Sequence, residues 1–379
     1  MKIGIITIHN SPNYGASLQS FALWKYLSNQ GYKCEIIDLY RSDFYGFIES
    51  KKYKQYYKKQ RKIKDIIKLA LEKILHRKLS KQYYSRSMQI KFEDFNNQIK
   101  MSAPYRCVDD LYKNPPIYDI YITGSDQVWN PTQPYCVEPY FLTFVPQGCK
   151  RISYASSIGI TDIPDDLKSE YKKWLSSYDA ISVRENQAKK LLESFTDLHI
   201  DLTPDPTVIL DADYWKSLAT KPQISEPYIL LFTLYHSLEL KNFVSKIEKE
   251  SNCKVVLLSQ HYPKDIYKSF IHITDAGQKD FLGYIANAEM IFTDSFHCTI
   301  FSIILGAKNF YSYIHSSNKR GSRITYLLQT FKLDDHLLNT EKNISYKDLC
   351  SRKINYDEIT KILEKEKYKG RDFLSKHLK

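Results

Sequence analysis

The sequence predicts an α/β protein built from two successive doubly wound halves. Three observations carry this. Short apolar runs rich in Ile, Leu and Val recur along the 379 residues. Helical patterns lie between several of them, and the alternation begins again near residue 228. At about 150 residues per domain the length suits two or three domains. Hydrophobic residues make up 43% and charged residues 26% of the chain, a globular balance that excludes wholesale disorder. No run of 18 apolar residues occurs, which excludes a membrane-spanning helix.

The elements follow in order. Met1–Ile8 reads as a buried parallel strand, Ser11–Gly15 as a turn, and Ser17–Gln30 as a helix stopped by Gly31. Lys33–Leu39 is the second strand, so the first 39 residues form a βαβ unit. Further strands are expected at Asp119–Thr123, Ile152–Ala155, Ala180–Val183 and His199–Leu202. Lys216–Pro227, with two prolines among polar residues, marks a domain boundary. Beyond it come strands at Tyr228–Leu234, Lys254–Leu258, Phe270–Ile273, Met290–Thr293 and Asn309–Ile314. Helices are expected at Glu239–Glu250, Asp280–Ala288 and Cys298–Leu305. The resulting division is a first domain over 1–215, with a basic helical insertion at 51–100, a second domain over 228–355, and a terminal helix over 356–379.

The net charge of +12 is concentrated in one place. Between Lys51 and Lys91 there are 15 basic residues against Asp65 and Glu72, so the rest of the chain is close to neutral. Ile63, Ile66, Ile67, Ala70, Leu71 and Ile74 recur at helical spacing, and Lys64, Lys68, Lys73, Arg77 and Lys78 occupy the other face. Such a helix packs on the protein with a solvated lysine face, or it adheres to anionic lipid. A nucleic-acid enzyme would carry basic residues on several elements lining a groove, so nucleic acid is not the expected partner. The seven cysteines are scattered without a C-x-x-C pair, which gives neither a metal site nor a disulfide framework. The N-terminus reaches Asn10 before an apolar stretch of signal-peptide length builds up. The expected location is the cytoplasm.

Open parallel sheets bind ligands at the carboxyl ends of their strands. Four polar clusters stand there. His9–Gly15, including Asn13 and Tyr14, leads from a strand into a helix N-terminus, where backbone N–H groups suit an anion or a sugar hydroxyl. Gly124–Asn130 holds Asp126, Gln127 and Trp129, the planar ring and directional polar groups of a sugar surface, although an Asx turn with a helix cap fits the same residues. In Ser182–Asn186, Arg184 matches a carboxylate or phosphate, or else a structural salt bridge with Glu185 or another acid. In Thr293–Thr299, His297 lies at a helix N-terminus among hydroxyls, a suitable acid or base, although a capping Ser or Asp beside an incidental His reads equally well. Cys298 has no base fixed beside it and is not expected to be a nucleophile.

Seven phrases in fixed order, ITIHNSPNYGASLQSFAL, GSDQVWNP, RISYASSIG, SVREN, PDPTVIL, TDSFHCTIFSI and GSRITYLL, span residues 3–328 and resemble the polysaccharide pyruvyl transferase family. The resemblance implies two Rossmann-like domains facing across a cleft, as in GT-B glycosyltransferases. It implies transfer of a pyruvyl group from phosphoenolpyruvate, a co-substrate and not a cofactor, to two hydroxyls of a sugar in surface polysaccharide biosynthesis. His297 is the implied catalytic residue. Donor-binding roles fall on Arg184, Ser295, Thr299, Arg320 and Arg323, and acceptor-binding roles on Asn13, Tyr14, Asp126, Gln127 and Trp129. No metal is implied. A lipid-linked oligosaccharide is the expected acceptor, with the basic segment touching the inner membrane face. Cys298 stands where the family often has Gly, and Ser295 where some branches have Arg, so the donor arginine must come from elsewhere. Gly277-Gln278 replaces a frequent Gly-Pro. A nucleotide-sugar glycosyltransferase and a non-catalytic carbohydrate binder are the competing expectations.

Overall fold

The computed structural model describes residues 1–9, 11–42, 46–53, 85–259, 267–315 and 321–379. Two six-stranded sheets form its frame, and every strand pairing in them is parallel. The first contains Lys2–Ile6 (β1), Lys33–Ile36 (β2), Ile120–Thr123 (β3), Lys150–Ser156 (β4), Ala180–Val183 (β5) and Ile200–Leu202 (β6), in the order β2-β1-β3-β4-β5-β6. The second contains Tyr228–Phe232 (β7), Lys254–Leu258 (β8), Ile271–Ile273 (β9), Met290–Thr293 (β10), Phe310–Tyr313 (β11) and Leu337–Leu338 (β12), in the order β12-β11-β10-β7-β8-β9. Central strands such as β3, β7 and β10 are buried along their whole length, as a parallel sheet covered by helices requires. These are two Rossmann-like domains.

Strand order fixes where a ligand fits. Connections leave in opposite directions between β1 and β3 in the first sheet, and between β7 and β10 in the second, which opens a crevice at each point. The loops after β1, β3 and β10 are three of the four polar clusters read from the sequence.

The helix Tyr14–Asn29 (α1) starts three residues before the pattern suggested. Asn13 causes this, because its side chain accepts from the Ala16 amide and caps the first turn. Residues expected in a turn, Tyr14 and Gly15, are therefore helical and buried. The helix Phe296–Leu305 also starts earlier than expected, capped by Ser295. Strand β12, two residues long, left no sequence signal.

Helix α1 joins the halves. The Tyr14 ring stacks on Phe281 of the second domain at 4.6 Å, and its hydroxyl donates to the Ala276 carbonyl. Gln278 donates to Ser17 across the same seam at 2.8 Å, which gives the Gly277-Gln278 variation a polar contact in place of a proline. The helix Arg86–Asn96, at the end of the basic segment, buries Met88, Phe92 and Phe95 and pairs Lys91 with Asp280. The terminal helix Tyr356–His377 returns to the first domain, where Arg371 donates to the Ile209 carbonyl. The amphipathic helix expected over Ile63–Ile74 lies outside the described residues, as does Arg320. No helix among the described residues is long and apolar enough to cross a membrane.

Candidate active site at the domain seam

The site is assembled from strand-end loops of both sheets. After β10, Ser295 caps the Phe296–Leu305 helix by accepting from the Cys298 amide, which places His297 in its first turn. After β6, Asp205 caps the short Pro206–Ile209 helix. Its Oδ1 accepts from the Thr207 amide and hydroxyl, and its Oδ2 accepts from Arg184 Nη1 at 2.8 Å and from Ser125. His297 Nε2 points at this same Oδ2 from the other domain, 3.6 Å away.

Arg184, after β5, is the centre of a buried charge cluster. Besides Asp205, its guanidinium lies 3.6 Å from Asp126 and 3.7 Å from Glu185. Its flat face covers the Phe296 ring at 4.5 Å, and Arg323 approaches the same ring at 5.9 Å. Asp126 sits at φ 72, a left-handed conformation that non-glycine residues adopt at some cost. Arg184 Nε and Nη2, Glu185 Oε2 and His297 Nε2 are buried without a hydrogen bond.

The electrostatics follow from burial and pairing. Burial opposes ionisation of Asp205, but His297 and Arg184 outweigh it and hold the carboxyl well below its ordinary value of 3.8. Asp126 is likewise lowered against burial by Arg184, His297 and Arg323. Asp294 is the opposite case. Burial pushes it up to about 6, although the Leu234 and Tyr235 amides bond to its carboxylate. Burial also raises the Cys298 thiol to about 12, so it stays protonated and unreactive at neutral pH.

These shifts give stability a definite pH dependence. Asp205 and Asp126 stabilise the fold fully above 3.8, and the contribution is lost as pH falls through their lower folded values. Asp294 contributes fully below 3.8 and less as pH rises through about 6. Urea midpoints should therefore fall on acidification from about pH 5 to about pH 3. The Asp294→Asn variant should lose the gain that the wild-type protein shows between about pH 7 and about pH 5.

Several residues expected to bind substrate are otherwise engaged. Trp129 is fully buried, stacked on Phe141, with its indole N–H on the Tyr140 carbonyl, so its ring offers no face to a sugar. Tyr14 is committed to the domain seam. Gln127 accepts from Asn130 and Gln133, and a Cβ on Gly159 would overlap its side chain. Thr299 spends its hydroxyl on the Ser295 carbonyl and on Ser312, and Ser295 is the helix cap. Asn13 also caps a helix. His297, Arg184, Asp126 and Arg323 do come together, from four different loops or helices.

The sequence reading gave no role to Asp205 or to Gly15, and named Glu185 only as a salt-bridge partner of Arg184. Asp205 follows a predicted strand and precedes Pro206, the same position that singled out the other four clusters. Gly15, at the start of α1, abuts His297, since a Cβ there would overlap the ring at Nδ1. Gly15→Ala should fold, because alanine favours a helix, yet displace His297. We expect at least a tenfold loss of turnover, with about 1–3 kcal/mol lost in urea stability from overpacking the seam.

Two parallel Rossmann-like sheets meet at a buried His–Asp–Arg cluster to which both domains contribute. The family model described as Polysaccharide pyruvyl transferase matches residues 13–316, and the chain belongs to that family. No curated protein matches the chain. Among solved structures, UDP-GlcNAc 2-epimerase from Methanocaldococcus jannaschii is similar at 14% identity and a TM-score of 0.47, over 96% of this chain and 92% of that one. UGT89C1 from Arabidopsis thaliana, complexed with quercetin, gives 11% and 0.49 over 98% of each chain. MurG from Acinetobacter baumannii gives 9% and 0.42 over 100% of this chain and 99% of that one.

Proposed function

We propose that the protein transfers the pyruvyl group of phosphoenolpyruvate to two hydroxyls of one sugar, forming a cyclic ketal and releasing phosphate. The observation that carries this reading is His297, in the seam of a chain of this family, with two helix N-termini and Arg323 around it. Helix N-termini and a guanidinium favour a carboxylate and a phosphate. In this reading Arg323, with Arg320 outside the described residues, meets the donor anion, while Arg184 gives Nη1 to Asp205.

The chemistry balances with one acid–base group. A proton is added at C3 of the enol ether, C2 becomes electrophilic, and the first hydroxyl adds there. Phosphate leaves and the second hydroxyl closes the ketal. Of the two hydroxyl protons, one ends on C3 and the other on phosphate. A histidine serves as acid in the first half and base in the second.

The test is incubation with phosphoenolpyruvate and a panel of galactosides and N-acetylhexosaminides. Expected are released phosphate and an acceptor heavier by pyruvate less one water. No phosphate release, together with thermal protection by a nucleotide sugar, would replace this reading with glycosyl transfer. The reading extends to a lipid-linked acceptor, with the Lys51–Lys91 segment held at anionic lipid by up to about 1 kcal/mol per basic residue. Vesicles containing anionic lipid should pellet the protein, and changing Lys58, Lys59, Arg61, Lys62 and Lys64 to Gln should abolish this. Equal, negligible pelleting of both proteins removes the membrane from the account.

A further inference from the structure

We propose that Asp205 is the positioning residue of His297: it holds the imidazole with Nε2–H turned inward, leaving Nδ1, beside Gly15 at the start of α1, as the nitrogen that exchanges a proton with substrate. The assignment of a reacting substrate rests on the pyruvyl-transfer reading. The tautomer does not.

The two ring nitrogens meet different surroundings. Nε2 is buried, has no hydrogen-bond partner, and faces Asp205 Oδ2 at 3.6 Å. That carboxyl is itself immobilised. Thr207 holds one oxygen and Arg184 with Ser125 the other, and the side chain is 1% exposed. Since His297 and Arg184 keep it ionised against burial, it is an acceptor only. A lone pair on Nε2 would confront this carboxylate in a buried site, so Nε2 carries the hydrogen. In the neutral ring the lone pair is then on Nδ1. That atom points to α1, where only the missing Cβ of Gly15 makes room for it.

The separation of 3.6 Å is slightly beyond hydrogen-bond length. Catalytic hydrogen bonds are often loose without substrate and tighten in the reacting complex. Asp205 comes from the first domain and His297 from the second. That tightening would take place across the domain seam.

The experiment records long-range proton–nitrogen correlations of the His297 ring in ¹⁵N-histidine protein, assigned by comparison with His297→Gln. Recorded at a pH where the ring is neutral, the Nε2–H form is the expected result. The Nδ1–H form in the wild-type protein overturns the proposal without any variant being made. In Asp205→Asn, the amide can offer either an oxygen or a nitrogen, so the ring should become a mixture of tautomers. Phosphate release should fall at least tenfold with the KM for phosphoenolpyruvate unchanged, and Asp205→Glu should recover part of the rate. A wild-type tautomer and rate in folded Asp205→Asn would also overturn the proposal. A wild-type protein that shows the Nε2–H form but never releases phosphate instead defeats the pyruvyl-transfer reading and leaves the positioning role intact.

Discussion

Replacing Arg184 by Ala is expected to destabilise the protein by about 3–5 kcal/mol, the usual consequence of removing one partner from a buried ion pair. The expected size follows from what remains. Asp205 and Glu185 are almost wholly buried and Asp126 nearly so, and all three lie within 3.7 Å of the guanidinium. Without it, Asp205 keeps only His297, Ser125 and Thr207, in surroundings that oppose a charge. The acid-induced loss of stability should shrink for Asp205 and Asp126. In the wild-type protein they are held below 3.8 and stabilise at neutral pH. In the variant one cause of the lowering is gone, so both folded values rise and less stability is lost on acidification. Urea titrations at about pH 7 and about pH 3 check both the size of the loss and its weaker acid dependence. Arg184→Lys should recover part of the loss, because one ammonium reaches one carboxylate where the planar fork reaches three. A fully stable Arg184→Ala protein with a raised KM for phosphoenolpyruvate would show that the arginine belongs to the donor site.

The second large effect is on rate. His297→Gln should lower turnover by about 10²–10⁴, the range supplied by a positioned acid–base group. The fold should hardly change, since the glutamine amide can still donate toward Asp205 and the helix retains its Ser295 cap. Phosphate release under saturating phosphoenolpyruvate measures the loss, and the urea midpoint controls for unfolding. A near-wild-type rate would remove His297 from the chemistry. Cys298 provides a contrast. Fully buried and kept protonated by burial, it should be replaceable by Ala with turnover retained.

The sequence by itself determined the alternation of strands and helices, the division into two doubly wound halves, and the loops that carry polar residues. Each of these follows from local information. Apolar runs such as IYIT and MIFT have to be buried on both faces, and a residue at the end of such a strand is carried to the sheet's carboxyl edge whatever its neighbours. His297 and Arg184 were legible for this reason, and Asp205 was legible by the same rule had it been applied after β6.

Tertiary structure alone decided which of those edge residues meet. Asp205 and His297 are 92 positions apart in sequence and touch because two sheets face each other. Arg184 could have held a ligand or a carboxylate, and the arrival of Asp205 from the next loop gave it the carboxylate. Trp129 reads as a sugar platform in composition but turned inward onto Phe141, since burying an indole with its N–H bonded to a carbonyl gains more than exposing it. Asn13, Ser295 and Thr299 have side chains that suit either a ligand or a helix terminus, and backbone amides only three or four residues away claimed two of them as caps. Local patterns state what a side chain is able to do. The partner that reaches it first in space decides what it does, and that partner comes from a distant part of the chain.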